Sequence, residues 1–146
     1  MKYIFGIFLV VFCFSCGSNT VIYPDKTLEK KTNHETFSYK EGDTTYVMQK
    51  YFLVLLKKGP NRSQSKEETE EIQKNHMAHI SWLAEQNYIS IAGPSESHET
   101  VSGFLLFNTE TFKQADSLAK LDPAVKAGRL EVETLPWWAA KGSKLK

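Results

Sequence analysis

From Val47 onward, stretches with apolar residues at every second position alternate with stretches where they recur every third or fourth. Val47 to Lys57 is rich in Tyr, Phe, Val and Leu, with Tyr51, Leu53 and Leu55 on one face and Phe52, Val54 and Leu56 on the other. A strand apolar on both faces is expected to be covered on both. Lys57-Lys58-Gly59-Pro60-Asn61 reads as a turn. Ser65 and Glu68 stand at capping-box spacing, where each side chain satisfies an orphan backbone N–H, and Glu67, Glu68, Glu70 and Glu71 suit the positive end of a helix. That helix is expected to run to Gln86, with Asn87 as its C-terminal cap. Ile72, His76, Ile80 and Leu83 share one stripe; His76 lies near its centre, His79 at its margin and Trp82 further round. Tyr88 to Ala92 is a short strand ended by Gly93-Pro94, and Ser95 to Ser102 is a polar loop containing His98. Gly103 to Asn108 is a strand with Phe104 and Leu106 on one face and Leu105 and Phe107 on the other. Thr109 is placed to cap a second helix whose inward face carries Phe112, Ala115, Leu118 and Ala119, and Pro123 stops it near Asp122. Arg129 to Trp138 is the last strand, half-exposed because Leu130, Val132 and Thr134 alternate with Glu131 and Glu133. Residues 141–146 form a basic, frayed tail.

The order is β-α-β-β-α-β, an α+β fold of the ferredoxin-like kind. Two helices cover only one face of four strands, yet two of those strands are apolar on both faces. The second face is expected to meet the same face of another copy in a symmetric homodimer.

The first residues stand apart from this domain. Lys2 is the only charge before Asp25, and Tyr3 to Phe14 is apolar apart from Gly6. That run is shorter than the roughly 20 apolar residues that span a bilayer. It reads as a signal peptide over residues 1–15, and Ser15-Cys16-Gly17-Ser18 resembles a bacterial lipoprotein site with Cys16 as the lipidated first residue of the mature chain. An ordinary secretory signal and an uncleaved anchor are the alternatives. The chain has two cysteines, Cys13 and Cys16, so cleavage and lipidation here leave no thiol for a disulfide, a nucleophile or a metal. Residues 16–43 read as a polar tether, with a reach of about 30 Å if it behaves as a flexible coil, and residues 44–140 as the domain. Thr36 to Tyr46, carrying Phe37, Tyr39 and Tyr46, also has the composition of an extra edge strand. The expected location is a bacterial envelope, anchored by lipid and facing the periplasm or exterior. Without Lys2 the chain has 17 basic and 17 acidic residues. With no basic cluster, nucleic acid is not an expected partner.

His76 is the first candidate for chemistry, because an inward-facing imidazole can act as a general base or bond a ligand. The alternative is a core histidine bonded to a backbone carbonyl. Asp122 could orient His76 or receive a ligand donor, or cap the turn at Pro123, the commoner use of Asp before Pro. His76 and His79 could share a metal, but no Glu lies between them in the zinc-protease pattern and no third ligand is evident, so neither metal nor cofactor is expected. Lys57, Lys58 and Arg62 could attract an anion, although a solvated turn is the commoner explanation. Trp137 and Trp138, being adjacent in a strand, point to opposite faces.

Lys57-Lys58-Gly59-Pro60-Asn61, His76-Met77-Ala78, Ala92-Gly93-Pro94, Asp122-Pro-Ala-Val-Lys-Ala-Gly-Arg-Leu130 and Pro136-Trp137-Trp138 together resemble the YCII-related family, over about Tyr51 to Trp138. The resemblance implies a dimeric α+β barrel and matches His76, rather than His79, to the family's helix histidine. In the family that histidine is often paired with an acidic residue and enzymatic activity has been suggested, without a general reaction. The chain departs from the pattern in having no arginine between Pro94 and Gly103 and no acid at Ser90, which counts against a fixed histidine–carboxylate dyad. The expected function is to bind a small, partly apolar ligand near His76, with Asp122, Ser90 or His98 behind it. A proton-transfer or isomerisation enzyme using His76 is the alternative, and a structural envelope subunit a third.

Overall fold

The computed structural model describes residues 33–96 and 99–145. The residues read as a signal peptide, Cys16, the first part of the region read as a tether and His98 lie outside the described residues.

These residues form strands β1 (Thr36–Glu41), β2 (Thr44–Lys58), β3 (Ile89–Pro94), β4 (Val101–Phe107) and β5 (Leu130–Ala140) and helices α1 (Lys66–Glu85), α2 (Phe112–Lys120) and α3 (Pro123–Lys126). All strand pairs are antiparallel. β5 lies along β2 from Met48 to Lys58, and β4 pairs the other edge of β2 between Phe52 and Lys57, with β3 outside β4. The spatial order β5-β2-β4-β3 is that of a ferredoxin-like split. The expected α+β class is therefore observed.

Within the region read as tether up to Asp43, Thr36–Glu41 forms β1, the extra edge strand that the composition of Thr36 to Tyr46 allowed. Gly42, at φ +60°, turns the chain into β2. Tyr39 then stacks on Tyr46, and Phe37 meets Trp138 edge-on. Aromatic cross-strand packing makes a strand of residues whose polarity alone suggests a linker.

The capping box is as expected: Ser65 Oγ accepts from the Glu68 N–H, and a Glu68 carboxylate oxygen accepts from the Ser65 N–H. Asn87, just past α1, takes φ +58°. The second helix starts later than expected. Thr111, not Thr109, is its cap, accepting from the Gln114 N–H, whereas the buried Thr109 hydroxyl donates to the Thr111 carbonyl. Phe112 is consequently half-exposed rather than inward, although its ring still meets Phe52 edge-on.

The core lies between the helices and one face of the sheet: Phe52, Val54, Leu56, Leu105 and Phe107 pack against Leu83, Ala115, Leu118 and Ala119. The opposite face carries Leu53, Ile91, Phe104, Leu106 and Trp137 around a depression of about 280 Å³.

Candidate functional site

The helix histidines have different surroundings. His79, placed at the stripe's margin by sequence, is fully buried. Its Nε2 donates to the Leu118 carbonyl oxygen at 3.0 Å, and its ring stacks on Trp82. Burial is the main cause lowering its pKa below 6.5, against the opposing pull of the Asp122 charge and the Leu118 carbonyl. The carbonyl-bonded core histidine is thus His79.

His76, three residues earlier, sits at the mouth of the core. Its Nδ1 lies 2.6 Å from Asp122 Oδ2. Asp122 is buried, and its other oxygen accepts the Ala124 N–H at 2.7 Å, capping α3. Of the roles considered for Asp122, one oxygen meets His76 and the other caps the turn at Pro123. Pro123 cannot continue the preceding helix, so the chain turns there and carries the carboxylate against α1. The dyad that Ser90 and the loop before Gly103 counted against is present, supplied from the far end of the domain. An ionised carboxylate only accepts, so Nδ1 carries the hydrogen of the neutral ring and Nε2 the lone pair. Nε2 has no hydrogen-bond partner among the described residues.

A cavity of about 580 Å³ opens beside His76, between α1 and the β3–β4 end of the sheet. It exists because Ala92, Gly93, Pro94 and Gly103 offer almost no side chain beneath Ile72, His76 and Ile80. Pro94 pairs with Gly103, and a Cβ on Gly103 would lie 2.8 Å from the Gly93 carbonyl oxygen. Most of the lining is apolar; Arg62, Gln73, His76, Ser102 and Arg129 are its polar members.

Arg62 and Arg129 reach the cavity through a backbone seam. Gly59 N–H donates to the Arg129 carbonyl at 2.8 Å, and Asn61 N–H to the Gly128 carbonyl at 3.0 Å. Gly59 permits this approach, because a Cβ there would stand 2.3 Å from the Gly128 oxygen. Arg62, which reads as part of a solvated turn, lines the cavity instead, and Arg129 was not singled out by sequence. The signal lay in the landmark turns around Gly59 and Gly128, which meet in space and carry one arginine each.

Ser90 is not at this site. Ile89 takes the inward position, the β3–β4 register shifts between Ile89 and Ile91, and Ser90 is exposed beside Ile91 and Trp137 on the opposite face. His98 lies outside the described residues. Among the described residues, no group of three or more His, Cys, Asp or Glu side chains is placed to hold a metal ion.

The profile of the YCII-related domain matches residues 51–138. No curated protein matches the chain. A solved structure similar to it is a 5-chloro-2-hydroxyhydroquinone dehydrochlorinase from Burkholderia phenoliruptrix in complex with 2,5-dihydroxybenzoquinone, at 22% identity and a TM-score of 0.43, covering 60% of this chain and 92% of that one.

Proposed function

The chain belongs to the YCII-related domain family, and on that footing we propose that it binds a small, mostly apolar molecule in the cavity beside His76 and moves a proton on it. The carrying observation is the His76–Asp122 pair at the wall of a cavity whose volume suits a small molecule. Nε2 takes a proton from the bound molecule. The resulting imidazolium is stabilised by the Asp122 carboxylate across the 2.6 Å contact and then returns the proton to another atom of the same molecule, an isomerisation with no net consumption of acid or base. The test is deuterium exchange: a panel of apolar carbon acids is incubated with protein in heavy water and followed by NMR. Wild type is expected to exchange one C–H, and His76→Ala to bind the same compound without exchanging it. Equal binding with no exchange by either protein overturns the enzyme and leaves the second reading, a binding module in which His76 supplies the polar contact.

Two further proposals concern the setting. The apolar outer face of the sheet supports a homodimer built on it, in which the partner covers Phe104 and Trp137, 40% and 46% exposed in one copy. The leader around Cys16 supports a lipid anchor in a bacterial envelope; labelled palmitate incorporated by wild type and lost in Cys16→Ser is the expected result.

A further inference from the structure

We infer that the cavity beside His76 is built for an anion: a small carboxylate whose charged end lies between Arg62 and Arg129 and whose apolar body lies along Ile72, Ile80 and Leu105. The inference rests on the proposed ligand-binding reading and specifies its chemistry.

The lining has no acidic side chain, while Arg62 and Arg129 both reach it. Among the described residues neither guanidinium has a carboxylate within ion-pair distance. Arg129 is half-buried, and what holds it is a neutral amide: one guanidinium nitrogen donates to Gln64 Oε1 at 3.0 Å, while Gln64 Nε2 donates to the Ala127 carbonyl at 3.1 Å. Gln64 therefore orients the guanidinium without cancelling its charge. Desolvating an uncompensated charge is costly, so a guanidinium directed at an enclosed apolar cavity favours an anion there. Here the complementary acid is left for the ligand to supply. Asp122 does not serve, since its two oxygens are engaged by His76 and the Ala124 N–H. Guanidinium forks match carboxylate and phosphate alike, but an apolar lining favours a singly charged ligand with a hydrocarbon body over a phosphate ester. The backbone seam through Gly59 and Gly128 sets the arginines relative to each other, so the subsite is carried by the frame of the domain.

The test uses the full-length chain, ¹⁵N-labelled in detergent, titrated with benzoate, phenylacetate and hexanoate and with the corresponding uncharged amides. The carboxylates are expected to move the signals of Arg129, Ile72 and His76 and to bind at least about tenfold more tightly than the amides, the ratio set by one charge-assisted hydrogen bond. Arg62→Gln and Arg129→Gln are each expected to remove that preference, and Arg62→Lys to keep part of it. Arg62 is exposed, so Arg62→Gln reads the charge even if Arg129→Gln disturbs the seam. Equal binding of acids and amides in the cavity overturns the anion subsite and leaves the ligand-binding reading standing. Carboxylate affinity unchanged in both glutamine variants does the same. If no member of either series moves any cavity signal, both readings fall together.

Discussion

At the scale of single residues, Asp122 does the most. One oxygen holds the His76 ring and the other caps α3. Asp122→Asn separates these duties. The amide oxygen can still accept the Ala124 N–H, but the amide nitrogen then faces Nδ1, which must become an acceptor and pass its hydrogen to Nε2. The expected outcome is a tautomer switch from Nδ1–H to Nε2–H, read from the imidazole ¹⁵N shifts, and a stability loss of about 1.5–3 kcal/mol from the missing charge-assisted bond. Asp122→Ala loses the cap as well and is expected to cost about 0.5–2 kcal/mol more in denaturant unfolding. His79 governs a different property. Its folded-state pKa lies below the unfolded value of 6.5, so as pH falls the unfolded chain takes up the proton first. The stability held by neutral His79 is complete above that value and is lost as pH falls from it toward the lowered folded-state pKa. Unfolding measured between about pH 5 and 8 is expected to show this loss in wild type and to show a flatter profile in His79→Gln. These two histidines also mark how far the sequence could be read. Period put His76 near the centre of the inward stripe and His79 at its margin, but only the arrival of Asp122 at one and of the Leu118 carbonyl at the other separates a histidine paired with a carboxylate from one bonded to a core carbonyl.

At the scale of elements, the seam between the β2–α1 turn and the α3–β5 turn positions the cationic side of the cavity. Gly59→Ala would drive a Cβ into the Gly128 carbonyl, 2.3 Å away and part of the backbone. It is expected to lower stability by about 1–3 kcal/mol, as overpacking does, and to shift the amide resonances of both Arg62 and Arg129; a denaturant melt and a two-dimensional NMR spectrum check both. The elements themselves were largely legible. The capping box, the left-handed Asn87 and the proline stop before α3 depend on neighbours within a few residues, and the chain order alone contains them. The start of α2 was legible too, although it was placed at Thr109: Gln114, three residues after Thr111, gives the capping-box spacing that Phe112 does not give Thr109. β1 was half legible: Phe37, Tyr39 and Tyr46 suggest a strand, and a polar sequence becomes one only when Trp138 arrives from β5.

At the scale of the whole molecule, a sheet with one face packed and one face apolar sets the terms of association. Trp137→Glu places a charge on the uncovered face, where Tyr51, Leu53 and Ile91 are its neighbours. Sedimentation is expected to show a dimer for wild type and a folded monomer for this variant. Association and ligand binding are expected to be linked, since Gly93, Pro94 and Phe104 border both the outer depression and the cavity beside His76. The alternating apolar faces of β2 and β4, the strand–helix order and the family landmarks determined, without coordinates, that this is a ferredoxin-like α+β domain with a histidine facing inward from its long helix. Those properties are periodic or local, and hydrophobic burial enforces them wherever the chain lies. Tertiary structure alone decided that Asp122 reaches His76, that Arg62 and Arg129 converge on one cavity, and that Ser90 turns to the other face. Each depends on a contact between residues far apart in the chain, or on a one-residue slip in register, and neither is written in the spacing of apolar positions.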